Sequence, residues 1–369
     1  ATLLYGTLTA CLSVVPVSLF RFGVYKPRNR ALLRKAAQIF AEHPGIIIAV
    51  AGRYGKTPMK EALAAVFSSK NVACTEGNRN VIVSLAEFAL GLSGAEEIVI
   101  IEFGEGAPGD VVAMTDMVQP DYAVITGLAP NHLNEYGSLE AIAKDFAYLA
   151  KFVGDKKLYW NTESPLGNYE LNGGIGYNSK GCGDVTVASA KIEVDHTQLE
   201  VVRFEKKQHM TMRLVGMHNI GPLLACWELA CRLGVKNRAA LRAIERITPY
   251  EHRLQPRSLN GGWLIDDTYN GSIEGMRAGL DYLSVLRARR KVYVTPGLVD
   301  QGDQTDVVHT ELGGLIAAAR PDAVYLFRNS VVDTISASLM QAGFSGELVI
   351  VENALDFYTN IADIMAVGD

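Results

Sequence analysis

The sequence predicts an α/β protein: a central domain on a parallel sheet, then a smaller Rossmann-like C-terminal domain, with a short apolar and basic segment in front. Three observations predict it. The chain has 369 residues and a mass of 40.0 kDa, more than one ordinary core accommodates. Apolar runs rich in β-branched residues alternate with segments of helical period, in two successive series. Thirty-five Gly against 13 Pro suits many tight strand-to-helix turns. With 49% hydrophobic and 20% charged residues, disorder, collagen and coiled coil are excluded. The five cysteines (Cys11, Cys74, Cys182, Cys226, Cys231) form no CxxC pair, which speaks against a disulfide scaffold or zinc ribbon and for a reducing compartment.

Residues 1–44 form the first segment. Its LLYGTLTACLSVVPVSLF (3–20) is an uncharged stretch of 18 interrupted by Gly6 and Pro16, near the lower limit for spanning a bilayer. Residues 1–41 hold no acid and six bases: Arg21, Lys26, Arg28, Arg30, Arg34 and Lys35. The segment reads either as a membrane anchor, with contact through residues 1–35 and its basic C-terminal side cytoplasmic, or as a buried helix docked on the body. The bases follow the apolar run, against the order of a cleaved signal peptide. The chain begins at Ala, so its start reads as trimmed, and its final MAVGD reads as the approach to another strand. Taking the six bases from the net charge of −5 leaves −11 on the rest, so no electrostatic case exists for a nucleic-acid partner.

Residues 45–248 are expected to form the central domain. GIIIAVA (45–51), EIVIIEF (97–103) and YAVITGL (122–128) read as buried parallel strands, with helices at 59–69 and 138–153 between or after them. Residues 157–215 alternate apolar and polar and read as antiparallel strands, and a helix follows at about 219–234. Residues 249–369 carry the second series, with strands WLIDD (263–267), KVYVT (291–295), DAVYLF (322–327) and ELVIVE (347–352) separated by helices.

The most informative segment is AVAGRYGKTPMKEAL, where a strand runs into Gly52, Arg53, Tyr54, Gly55, Lys56 and Thr57 before a helix begins. Glycines let backbone N–H groups turn toward phosphate oxygens, and the helix N-terminus adds its dipole. In such a loop Lys56 reaches the β/γ-phosphates of ATP and the Thr57 hydroxyl ligates Mg²⁺. The full Walker pattern has Gly where Val50 stands, so this is a shorter G-x-x-G-K-T form. Pro58 suits a first helical turn but removes one N–H. Glu102 falls at the carboxyl end of one strand and His132 just beyond the next, so an acid and an imidazole near Thr57 are candidate metal ligands. Read singly, His132 is an ordinary loop or core histidine and Glu102 a salt-bridge partner.

In order, G-x-x-G-K-T, TEGNRN (75–80), IEFGEGAPGD (101–110), NHLNEYGS (131–138), GMHNI (216–220), YEHRLQP (250–256), IDDTYNGSIEGM (265–276) and VTPGLVDQG (294–302) resemble the Mur ligase family over about residues 45–369, closest to its MurF-type branch. That branch joins D-alanyl-D-alanine to a UDP-muramoyl-tripeptide using ATP. The resemblance implies that Lys56 and Thr57 bind phosphates and Mg²⁺, that Asn78 lines the cleft, and that Glu102 and His132 hold metal. It implies Asn219 near the adenine, Arg253 at the γ-phosphate and Asp267 at the ribose. Lys56, His132 and Arg253 would be the catalytic set, and the C-terminal domain would close over ATP.

Three departures stand out. Phe146 occupies the place of a lysine that the family carboxylates to help hold a second metal, with Lys144 two residues earlier and Asp145 turned about 100° from it. Pro58 ends the phosphate loop, and Pro222 replaces an Asn. Only 44 residues precede the first strand, where the family has a domain for the UDP-sugar. The implied reaction is ATP-dependent amide formation through an acyl phosphate, with a muramoyl-peptide and an amino-acid or dipeptide amine as substrates. The alternatives are a ligase for another carboxylate, such as a folate or poly-glutamate, and an ATP-binding scaffold without ligase activity.

Overall fold

The structure, a computed structural model, describes residues 26–369 apart from 78, 129–135, 170, 172, 270, 300, 360, 362–364 and 366. Helix α1 (Lys26–Glu42) leads to strand β1 (Ile46–Ala51), helix α2 (Lys56–Val66) and β2 (Val72–Cys74). Then come α3 (Ile82–Ala89), β3 (Ile98–Glu102), α4 (Asp110–Val118), β4 (Tyr122–Ile125) and α5 (Leu139–Val153). β1, β2, β3 and β4 lie parallel in the order β2-β3-β1-β4. The chain thus passes from one side of β1 to the other after β3, and the space beyond the carboxyl end of β1 is where open α/β sheets keep their ligands.

Side chains alternate strictly across this sheet. Ile48, Val50, Ile98, Ile100 and Val124 enter one buried cluster, while Ile47, Ala49, Ala51, Val99, Ile101, Ala123 and Ile125 enter the other. Two-sided burial is why these runs are continuously apolar rather than alternating. The second cluster also takes Ala36 and Phe40 from α1, so this helix seals one face of the sheet. Its Arg28, Arg30, Arg34 and Lys35 are exposed. Residues 1–25 lie outside the described residues, among which no helix is long and apolar enough to cross a membrane.

The expectation for 157–215 needs correction in part. β5 (Leu158–Asn161) and β6 (Ile175–Asn178) extend the sheet in parallel, and only from the Asn178–Gly181 turn onward does it become antiparallel, through β7 (Gly181–Cys182), β8 (Val185–Ile192), β9 (Thr197–Arg203) and β10 (Lys206–Met212). Leu158, Tyr159 and Tyr177 are buried and continue the core, which keeps these two short strands in the parallel part. Helices α6 (Ile220–Arg232) and α7 (Asn237–Arg246) cover the first cluster together with α2. Pro222 is the third residue of α6, where its missing N–H has no intrahelical partner to lose.

The second correction concerns WLIDD. β11 (Gln255–Leu259) and β12 (Gly262–Asp266) form an antiparallel hairpin apart from the second parallel sheet. Its two-residue turn has Asn260 at φ 50° and Gly261 at φ 78°, the double positive φ that an Asn-Gly hairpin turn provides. Helix α8 (Ile273–Val285) follows. β13 (Val292–Thr295), β14 (Ala323–Phe327) and β15 (Glu347–Val351) then make a parallel three-stranded sheet, with α9 (Thr305–Ala319) and α10 (Val332–Gln341) between them.

Candidate phosphate-binding site

β1 ends at Ala51, and the chain turns through Gly52 (φ 138°) and Gly55 (φ 71°) into α2, whose first residue is Lys56. A β-carbon on Gly52 would sit 2.1 Å from the Thr126 hydroxyl, so the end of β4 packs directly against the loop. That hydroxyl donates to the Tyr54 carbonyl and lies 3.2 Å from the Ala51 carbonyl. The Tyr54 ring covers Gly127, and its burial raises the phenol pKa. Pro58 is the third residue of α2, and its carbonyl accepts from the Tyr250 hydroxyl at 3.1 Å. The result is a rigid turn with the N-terminus of an 11-residue helix at its mouth.

Glu102, the last residue of β3, faces this loop. Its Oε2 accepts from the Thr57 hydroxyl at 3.1 Å and pairs with the Lys60 ammonium at 3.2 Å, while its Oε1 accepts from Asn80 at 3.1 Å. Its backbone N–H donates to the Thr75 hydroxyl at 3.1 Å. Lys60 is only 2% exposed and also donates to the Gly77 carbonyl at 2.8 Å, tying α2 to the 75–80 turn. Sequence reasoning missed Lys60 and Asn80. The signal for Lys60 was its place four residues after Lys56, on the same helix face.

Glu105, also missed, lies three residues further on. Its Oε1 is 2.9 Å from Lys56 Nζ and 3.6 Å from Arg53 Nη1, and Arg53 also donates to the Glu105 carbonyl at 3.2 Å. Burial raises the pKa of this carboxyl despite the two cations. Lys56 itself reaches back to the Gly52 carbonyl.

Phe146 is fully buried in the apolar cluster that contains Phe103, Leu128 and Tyr136. Its neighbour Asp145, also buried, accepts from Gly109 N–H at 2.8 Å and from the Tyr136 hydroxyl at 3.2 Å. Asp145 thereby fastens the loop that follows Glu102, and burial raises its pKa.

Of the other expected residues, Asn78 and His132 lie outside the described residues. Asn219 stands at the N-cap of α6, its amide donating to Val215 O at 2.7 Å. The Arg253 guanidinium lies 4.4 Å from the centre of the Tyr269 ring, between His252 and Leu254, both of which have positive φ (58° and 42°). Asp267 Oδ1 accepts from Leu254 N–H at 3.1 Å, so the bend carrying Arg253 is pinned from the hairpin's far end. Tyr250, three residues earlier, touches the start of α2.

Among the described residues no three His, Cys, Asp or Glu side chains gather as a metal cage. What is gathered is a hydroxyl and a carboxylate 3.1 Å apart at a helix N-terminus beside Lys56. Those hard oxygen donors fit Mg²⁺ when phosphate oxygens complete the set.

A strand, a glycine turn with Lys-Thr, and a helix at the carboxyl end of a parallel sheet define the class of P-loop proteins. Residues 50–230 match the Mur ligase middle domain. The chain is 25% identical over 309 residues to the UDP-N-acetylmuramoyl-tripeptide–D-alanyl-D-alanine ligase of Bacillus subtilis, covering 80% of this chain and 65% of that protein. It is 26% identical over 312 residues to the ligase of the same name from Escherichia coli, covering 82% and 68%. The fold resembles the MurF ligase of Thermotoga maritima in complex with ADP, with a TM-score of 0.78, 21% identity, and 92% of this chain and 78% of that one covered. The chain thus spans about two thirds of the length of the curated relatives it matches.

Proposed function

We propose that the chain is an ADP-forming peptide ligase of cell-wall precursor synthesis. It would add D-alanyl-D-alanine to a muramoyl-peptide, with ATP and Mg²⁺ bound at the Gly52–Thr57 loop. The observation that carries this reading is the Thr57–Glu102 pair beside Lys56 at the end of β1, a cation and two oxygen donors at one helix N-terminus. The names of the relatives support the substrate class.

In this reading Lys56 and the N–H groups of α2 hold the phosphates, and Thr57 and Glu102 hold Mg²⁺, with His132 and Asn78 in the roles the family resemblance implies. Bound Mg²⁺ would neutralise charge on the phosphate oxygens as the γ-phosphoryl group moves. Lys60 keeps Glu102 aimed at Thr57, a positioning role. Arg253 approaches from the hairpin segment, which Tyr250 docks against α2. The γ-phosphoryl group passes to a substrate carboxylate, giving an acyl phosphate and ADP. The amine attacks the acyl carbon, and phosphate leaves with formation of the amide. Residues 45–248 would form the ATP-binding lobe and 249–369 a lobe whose closure keeps water from the acyl phosphate, with Asn219 toward the adenine and Asp267 toward the ribose. The exposed bases of α1 support contact of residues 1–35 with an anionic membrane surface.

The test is ADP release with UDP-muramoyl-tripeptide and D-alanyl-D-alanine, together and singly. Release that requires both is the expected result. Release that ignores the amine contradicts a ligase, and tight nucleotide binding with no release identifies a non-catalytic binder.

A further inference from the structure

The cations of the phosphate loop share one anion in this structure, and the chain supplies it. Glu105 Oε1 stands 2.9 Å from Lys56 Nζ and 3.6 Å from Arg53 Nη1. The Glu105 side chain is 6% exposed, and its Oε2 is buried with no hydrogen-bond partner among the described residues. A carboxylate offers Lys and Arg the same kind of anionic acceptor that a phosphate does. Resting on the phosphate-loop reading above, we propose that Glu105 is an internal competitor for the nucleotide: it occupies the phosphate place on Lys56 and Arg53, and a nucleoside triphosphate binds by displacing it.

The backbone around Glu105 limits how that exchange happens. Phe103 N–H donates to Val50 O at 2.8 Å and Gly104 N–H to Asn80 O at 2.7 Å. On the other side, Gly106 and Ala107 N–H both donate to Asp110 Oδ2, at 3.0 and 2.8 Å. With its neighbours pinned, Glu105 leaves by side-chain rotation rather than by loop movement. With Oε2 unpaired among the described residues, the carboxylate is held by part of its hydrogen-bonding capacity, which lowers the cost of leaving. When the product phosphates depart, the same carboxylate returns to Lys56. Glu105 therefore sets nucleotide affinity and favours product release, without touching the reacting atoms.

The experiment is calorimetric titration of the full chain with a non-hydrolysable ATP analogue and Mg²⁺, and separately with adenosine, which brings no phosphate. Glu105→Gln keeps the shape and removes the charge; Glu105→Ala removes the group, and thermal unfolding checks that both are folded. We expect the analogue's Kd to fall about tenfold or more in both variants while adenosine binding is unchanged. An analogue Kd that is unchanged or higher overturns the proposal. If wild type and variants all fail to bind the analogue, the phosphate-loop reading itself fails and this inference falls with it. Tightening of adenosine by the same factor would also overturn it, since the effect would then lie away from the phosphates.

Discussion

Replacing Lys60 by Met isolates the buried pair behind the candidate site. Met retains most of the aliphatic stem, so the packing change is small and the charge is the main loss. At 3.2 Å from Glu102 Oε2, and with an effective dielectric of about 20, the Coulomb attraction removed is about 5 kcal/mol. Desolvation of the ammonium, which is 2% exposed, offsets part of that in the wild type and is recovered in the variant. Glu102 then keeps its bonds from Thr57 and Asn80 but loses its cation, and the Gly77 carbonyl loses its donor. We expect a net loss of about 3 kcal/mol, within the range for breaking one side of a buried ion pair. Urea unfolding followed by the fluorescence of Trp160 and Trp227, both on elements of the large sheet and its covering helices, reads it. Adding Glu102→Gln to Lys60→Met removes the stranded charge and should return about half of the loss. A loss under about 1 kcal/mol, or a double variant no more stable than the single one, would show that Lys60 does not compensate Glu102.

Phe146→Ala should cost about 3–5 kcal/mol in urea unfolding, because the ring is wholly buried in the core; ligase activity at matched stability should be indifferent to added bicarbonate. Gly52→Ala places a β-carbon 2.1 Å from Thr126 Oγ1 at a φ of 138° and should lower nucleotide affinity at least tenfold by calorimetry, on the order of 1.4 kcal/mol. Burial opposes ionisation of Glu96, but hydrogen bonds from Ser93 and His43 outweigh it and hold the pKa at about 2, below the ordinary carboxylate value. A lowered folded-state pKa stabilises above the unfolded value and is lost as pH falls toward about 2. The stability gap between wild type and Glu96→Gln should accordingly be present at pH 6 and shrink progressively below pH about 4.5; a gap that grows on acidification would contradict the assignment.

Much of this was legible in the sequence for physical reasons. Two-sided burial writes continuous apolar runs, so β1, β3 and β4 and the loop at Gly52–Thr57 could be placed directly. Strand direction at β5 and β6 could not, because short half-buried strands look alike whether they pair parallel or antiparallel. The β11–β12 hairpin has its signal in Asn260-Gly261, but WLIDD also fits the rhythm of the later strands, which masks it. Glu105 is illegible as a site residue and Lys60 shows no more than its helix face, since an acid and a base on separate segments reveal a pairing only when the fold brings them together. Phe146 could be named as a departure, but that Asp145 would fasten the loop after Glu102 depended on the helix rotation.

If the chain is the proposed ligase, ATP energy enters through an acyl phosphate, and oxygen transfer records that step. With the acceptor carboxylate labelled with ¹⁸O, the inorganic phosphate released alongside ADP should carry one labelled oxygen per turnover, read by mass spectrometry. Phosphate that forms in step with ADP but carries no label would mean that water, not the carboxylate, accepts the phosphoryl group, and would contradict the account.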